Sequence, residues 1–244
     1  MEVVPAAGRY VAAVALTNGV HHLAISTADM KGQLEFFTDV LGAELKALYW
    51  MHGVPDTFHG FVKLNDSSYV AFVHGPKNAG IEPIIGVSHA GSAANVSAPG
   101  TMQHVAFNVD TLEDLLALRD RIRSRGVNVF GPLDHGMCHS IYFAGPEHLA
   151  LEIATSAAPI DERAWIDPEC VALVGIDAVE LEAMKQPAAF ESQGGAVPQP
   201  PIDPDKPQLV MPPDALRRIM TMPDEVVTAK LSEPDPPVKV AVGR

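Results

Sequence analysis

The sequence predicts an α+β fold built from two tandem βαβββ modules, followed by a Pro-rich C-terminal extension. Three observations carry that prediction. First, two stretches match, His22-Leu23-Ala24-Ile25-Ser26-Thr27-Ala28-Asp29 and His104-Val105-Ala106-Phe107-Asn108-Val109-Asp110-Thr111. Each opens with a His at the head of a short apolar, β-branched run that reads as a strand and ends on a helix-capping residue, Asp29 or Thr111. Second, an amphipathic stretch follows each cap and stops at a glycine, Gly42 or Gly126. Third, the composition changes after Thr155, where Pro-Gln-Pro-Pro, Asp-Pro-Asp and Asp-Pro-Pro replace periodic apolar runs. Self-similarity of this kind marks a duplicated unit.

In chain order, residues 1–19 read as a loose lead-in with an edge strand over Tyr10–Leu16. Module one, residues 20–75, begins with the strand of His22, in which His22, Ala24 and Ser26 share a face. A helix over about Met30–Leu41 puts Leu34, Phe37 and Leu41 on one stripe, with Gly42 as its C′ residue. Strands over Glu44–Trp50, Phe58–Leu64 and Tyr69–His74 follow, the last two joined by the turn Asn65-Asp66-Ser67-Ser68. Residues 76–101 are a linker rich in Gly, Ala, Ser and Pro, long enough to act as a mobile segment or a lid. Module two, residues 102–156, repeats the order: strand Met102–Val109, helix Leu112–Arg125, and strands near Asn128–Phe130, Cys138–Ala144 and Leu149–Ala154. Thr111 with Asp114 approximates a capping box. The extension, residues 157–244, holds one or two short helices in Asp161–Lys185 and helical patches near Asp214–Met220 and Asp224–Leu231. It cannot form a core of its own, and reads as an arm over the core or a partner subunit, or as partly disordered.

Bulk properties exclude several classes of function. The formal net charge of −13 lacks the basic footprint that nucleic acid needs, and it disfavours an anionic membrane surface. No apolar run approaches the ~20 residues of a spanning helix, and the N-terminal segment lacks the basic region of a signal peptide. Two cysteines, Cys138 and Cys170, are too few for a disulfide framework. The expectation is a cytoplasmic protein without nucleic-acid or membrane partners.

Several side chains are candidates for chemistry. His22 and His104 occupy equivalent places in the repeat, and Glu152 stands alone in the apolar run Leu-Ala-Leu-Glu-Ile, where burial is costly unless the carboxylate is paired or metal-bound. The competing explanation is a hydrogen-bonded structural histidine at the start of a strand, and for His21 a structural or solvent-facing role. His135, Cys138 and Tyr142 precede Glu152, with Cys138 and Tyr142 on one face by parity. Tyr142 is equally consistent with a strand aromatic packed on the sheet, and His135 with a loop residue. His52, His59 and His74 fit ordinary surface or core positions as well as proton transfer.

The layout with HLAIST and FFTDVLG in module one, and QHVAFNVD and YFAGPEHLALEI in module two, resembles the vicinal oxygen chelate superfamily over about residues 20–155. That group includes glyoxalases, bleomycin- and fosfomycin-resistance proteins, methylmalonyl-CoA epimerases and extradiol dioxygenases. The resemblance implies a cupped mixed sheet around a divalent metal, with ligands from the first and last strands of each module. Carried onto this sequence, the ligands are His22, His104 and Glu152. The last strand of module one has no carboxylate or glutamine at its centre, so the fourth place is empty unless His74 reaches in. A 2-His-1-carboxylate face with open positions suits non-haem Fe(II) and oxygen chemistry; Mn(II), Zn(II) and Ni(II) accept the same donors. The run from His135 through Ile141-Tyr142 and Pro146 to Glu152 is closest to the extradiol dioxygenases, in which the His and Tyr bond substrate oxygens. Gly145 and His148 depart from that pattern. Where those enzymes carry an acid–base His, this chain has Ser67, Ser68 and Tyr69, leaving His59 or His74 as substitutes.

The resemblance therefore implies an Fe(II)-dependent extradiol-type dioxygenase acting with O2 on a small catecholic aromatic, as a homodimer or higher homo-oligomer. The alternatives are a metal-dependent glyoxalase, epimerase or lyase working through an enediolate, and a resistance protein that sequesters a ligand without turnover.

Overall fold

A computed structural model describes residues 17–191 and 194–239; the strand expected over Tyr10–Leu16 lies outside them. In module one, β1 (His22–Thr27) leads into α1 (Met30–Glu35), followed by β2 (Glu44–Trp50), β3 (Phe58–Asn65) and β4 (Ser68–His74). The Asp29 carboxylate accepts from the Gly32 amide at 2.9 Å, satisfying one of the free amides of the first helical turn. Beyond Glu35 the helix widens into a π turn over Phe36–Val40, where Leu41 N–H donates to the Phe36 carbonyl at 3.4 Å. Apolar spacing does not report this change, because Leu34, Phe37 and Leu41 all still reach the core. Gly42 follows at φ +81°, a conformation that favours glycine.

Module two repeats the plan with β5 (Val105–Val109), α2 (Leu112–Ser124), β6 (Val129–Asp134), β7 (His139–Ala144) and β8 (Ala150–Thr155). The Thr111 hydroxyl caps α2 by accepting from the Asp114 amide at 3.1 Å. Each module forms its own four-stranded mixed sheet, ordered β1-β4-β3-β2 and β5-β8-β7-β6, with the first pair parallel and the others antiparallel. The register makes the duplication explicit. Ala24, Ala71, Phe61 and Ala47 form one cross-strand row, and Ala106, Glu152, Tyr142 and Phe130 form its equivalent.

The two sheets share a core on their helical side. Phe37, fully buried, meets Phe72 of its own module and Phe107 of the other edge-on, with centroids 5.0 and 6.1 Å apart. Truncating Phe37 to Leu leaves a small void at that junction and should cost about 1–2 kcal/mol, read as a lower urea midpoint at unchanged slope. Polar contacts join the modules as well. Glu147, between β7 and β8, accepts from Thr27 Oγ1, the Ala28 amide and Gln33 Nε2 at 2.6, 2.7 and 2.7 Å. From α2, the Arg121 guanidinium donates to the Asp39 and Val40 carbonyls at 2.8 and 3.0 Å.

The segment Asp161–Lys185 forms three short helices, α3 (Glu162–Trp165), α4 (Pro168–Leu173) and α5 (Ala178–Lys185). Asp161 and Asp167 each cap a new start, and Pro168 at the first position of α4 has no amide to leave unpaired. Asn18–Ala178 forms one compact unit, which takes in both modules and the first two of these helices. The described residues from Val179 onward belong to a second, with α6 (Pro213–Met220) and α7 (Asp224–Leu231). Among the described residues no helix is long and apolar enough to cross a membrane.

Candidate functional site

In module two the central row of the sheet gathers the candidates. Glu152 sits on β8 between apolar neighbours that face the core, yet its own side chain points to the opposite face, and the residue is only 6% exposed. His104, immediately before β5, brings Nε2 to 2.9 Å from Glu152 Oε2. Tyr142 lies directly across from Glu152 on β7, and its hydroxyl is 3.0 Å from His135 Nε2. The turn between β6 and β7 places His135: its amide donates to the Cys138 carbonyl at 2.9 Å, and Gly136 takes φ +79° beside the Trp165 ring. Burial pushes the Tyr142 hydroxyl above its ordinary pKa, and the neighbouring Glu152 carboxylate adds to that against an opposing bond from Ser140. It is therefore a neutral hydrogen-bond donor over the physiological range. Cys138 lies near the group, 3.6 Å from Ser140 Oγ.

In module one, His22 is exposed at the head of β1 on the face away from the core. His59, through its pairing with Val73 and Tyr49, shares that face, along with Phe61 and Tyr69. The rings form a continuous lining: Phe61 is 5.6 Å from His22, 5.8 Å from His59 and 6.1 Å from Tyr49, which it stacks. Burial first, and the nearby His22 second, lower the His59 pKa, so its ring is neutral near pH 7. Its Nε2 is buried with no hydrogen-bond partner among the described residues.

Two expectations change here. His74 pairs with Thr27 and Phe58, residues of the core-side face, so it cannot be a fourth ligand or an acid–base group beside His22. The position equivalent to Glu152 is Ala71. The three expected ligands are also not gathered in one chain. His104 and Glu152 converge, but among the described residues no group of three His, Cys, Asp or Glu side chains is placed to hold a metal. The donor chemistry fits two protein ligands of a divalent cation, an imidazole nitrogen beside a buried carboxylate oxygen, and leaves the third to be supplied. A cleft of about 1080 Å³, lined by Leu23, Phe37, Leu41, Val105, Phe107 and Arg121 among others, includes none of His22, His59, His104, His135, Tyr142 or Glu152.

One residue was missed from the sequence. Gln103 bonds His104 Nδ1 through its side-chain oxygen and the linker carbonyls through its nitrogen. The carbonyls that hold its nitrogen lie eight or more residues away in an aperiodic loop, so no local spacing signals the role.

The model of the Glyoxalase/Bleomycin resistance protein/Dioxygenase superfamily matches residues 19–153, more than half of the chain. The chain belongs to that superfamily. Among this chain's relatives, biphenyl-2,3-diol 1,2-dioxygenase 2 of Rhodococcus globerulus is 25% identical over 148 residues, which cover 60% of this chain and 68% of that protein. Among solved structures, a glyoxylase/bleomycin resistance protein/dioxygenase domain from Frankia sp. EAN1pec matches with a TM-score of 0.46 at 15% identity, covering 58% of this chain and 99% of that one. The fosfomycin resistance protein FosX of Listeria monocytogenes, solved with Mn(II) and sulfate, matches with a TM-score of 0.40 at 18% identity, covering 61% and 98%. The superfamily includes dioxygenases alongside resistance proteins, and its tandem βαβββ plan is the one seen here.

Proposed function

We propose that this member of the superfamily is an extradiol-type dioxygenase that cleaves a small catecholic aromatic with O2, using a divalent metal, Fe(II), as its cofactor. The observation that carries the reading is the central row of module two, where His104 and Glu152 meet at 2.9 Å beside the Tyr142–His135 pair. The dioxygenase relative at 25% identity supports it. His104 and Glu152 would hold the cation, with His22 as third donor, the 2-His-1-carboxylate set of non-haem Fe(II) oxygenases; Mn(II), Zn(II) and Ni(II) would accept the same donors. When bound, such an ion supplies Lewis-acid chemistry toward two vicinal substrate oxygens. The chain's own groups do the remaining work. Tyr142 stays protonated and donates to a substrate oxygen, and His135 orients that hydroxyl. His59, with a free ring nitrogen on the aromatic face, exchanges the substrate's proton.

The third donor sets the assembly. His22 lies on an outward sheet face and is not gathered with His104 and Glu152 in its own chain, so we assign the completing His22 to a second copy in a homodimer. Two unpaired cysteines, Cys138 and Cys170, fit a cytoplasmic place of action. A glyoxalase, epimerase or lyase reading is less well supported, because Ala71 and the displaced His74 leave the last strand of module one without a fourth donor at the expected position. Sequestration of an aromatic ligand without turnover is favoured by one feature, the lining of Tyr49, Phe61 and Tyr69 on the outward face of the module-one sheet.

The test is oxygen uptake by anaerobically purified, Fe(II)-loaded protein with a panel of substituted catechols, followed together with the ring-fission absorbance. Uptake is expected. Ligand binding without uptake on any catechol would favour sequestration. For the shared site, chains carrying His22→Ala and chains carrying Glu152→Ala are each inactive, but mixing and refolding them should restore about a quarter of wild-type activity, because half of the dimers then contain one intact site. No recovery in a mixture shown to form heterodimers would return all three ligands to one chain.

A further inference from the structure

Gln103 is a carboxamide held at both ends, and its two ends are chemically distinguishable here. Its Nε2 lies 2.8 Å from the Ala93 carbonyl, 3.0 Å from that of Asn95 and 3.3 Å from that of Ser92. Carbonyl oxygens only accept, so the end that faces three of them must be the NH2 group. The oxygen end then faces His104 Nδ1, with which it forms a hydrogen bond. An amide oxygen also only accepts, so Nδ1 must carry a hydrogen. In a neutral imidazole this leaves Nε2 as a bare acceptor, aimed at Glu152 Oε2 from 2.9 Å. Two acceptors at that distance repel each other, a cost that the Gln103 clasp offsets and that a positive charge between them, a proton or a metal cation, removes. Without Gln103 the opposite tautomer would win, because Nε2–H could donate directly to the carboxylate.

We propose that Gln103 is a positioning residue that sets the Nδ1–H tautomer and the ring orientation of His104, so that Nε2 is offered with Glu152 to a divalent cation. The turn over residues 92–95 is what holds it in place. That turn belongs to the linker expected to be a mobile segment or lid. Part of it is instead packed: Ala90 is buried, and the Ala98 amide donates to the Val87 carbonyl at 2.8 Å. The linker thus reaches the ligand through one side chain. The metal half of this inference rests on the reading of His104 as a ligand, and the tautomer half does not.

The test uses the full chain and two variants, Gln103→Met, which keeps the length and removes both polar ends, and Gln103→Glu, which keeps an acceptor for Nδ1 and loses the donors to the loop. In metal-free protein at about pH 9, where an ordinary histidine is neutral, long-range 1H–15N spectra should show His104 as Nδ1–H in the wild type and in Gln103→Glu. In Gln103→Met it should switch to Nε2–H. Titration with Mn(II) should show an affinity about 10- to 100-fold weaker for Gln103→Met, largely restored in Gln103→Glu. An Nε2–H ring in the wild type, or unchanged tautomer and affinity in Gln103→Met, would overturn the proposal. If the wild type binds no Mn(II), Fe(II) or Zn(II), the metal reading itself fails, and the tautomer spectra still decide the role of Gln103.

Discussion

Replacing Glu152 by Leu should abolish metal binding and catechol-dependent oxygen uptake while leaving the metal-free protein as stable as the wild type, or more so. Glu152 is buried, on a strand whose neighbours Leu151 and Ile153 fill the core, and its partner His104, 2.9 Å away, has a side chain 32% exposed. Desolvating a carboxylate for so few polar contacts is expensive, and replacing a buried charge with an apolar group of similar volume is often neutral or stabilising by ~1–2 kcal/mol. A residue that costs stability where an apolar one would serve is the mark of a functional position. Metal affinity should fall by more than about 100-fold, beyond what the loss of a group behind a ligand produces. In kcat/KM the loss should exceed roughly 1000-fold, or about 4 kcal/mol of transition-state stabilisation. Isothermal titration with Mn(II) and thermal melts of the same metal-free sample check both halves. A variant that melts far below the wild type without metal would show Glu152 to be structural instead.

The second large effect belongs to Glu147. This residue takes φ +52°, and His148 after it φ +62°, an unfavourable conformation for two consecutive non-glycine residues. The strain is offset by what the carboxylate reaches: the Thr27 hydroxyl at 2.6 Å, the Ala28 amide at 2.7 Å and Gln33 Nε2 at 2.7 Å, all in the other module. Burial by itself would raise the Glu147 pKa, but the bonds from Thr27, Gln33 and the Ala28 and Asp29 amides outweigh it and hold the carboxyl below its ordinary value. A group whose pKa is depressed in the folded state stabilises fully above its unfolded value and loses that contribution as the pH falls through the folded one. Glu147→Gln should therefore cost about 2–3 kcal/mol at pH 7, from charge-assisted bonds that become neutral ones. The gap from wild type should begin to close as the pH falls below about 4.5, the ordinary value, and should keep shrinking as it falls through the lower value held in the folded protein. Urea unfolding of both proteins across that range is the measurement. A gap independent of pH would mean that shape, not charge, holds the modules together at this point.

The sequence by itself determined the elements and their duplication. Short strands with period-two alternation, Asp29 and Thr111 as caps, and Gly42 as a stop are local chemistry, legible without tertiary contacts. Parity along one strand was enough to put Cys138 and Tyr142 on one face, and the superfamily motifs gave reasons to look at His104, Glu152 and His135. Only the tertiary structure decided which faces meet. His74 is separated from His22 by a strand register that pairs it with Thr27, and register between strands 47 residues apart is not encoded in either strand's own alternation. The link from Glu147 to Thr27 spans 120 residues, and the clasp of Gln103 depends on carbonyls of an aperiodic turn. The gathering of His104 with Glu152 follows from the parallel pairing of β5 with β8, and the separation of His22 from both from how the two sheets share a core. That sharing is set by packing around Phe37 and Phe107, where the apolar pattern says that a side chain is buried but not against which partner.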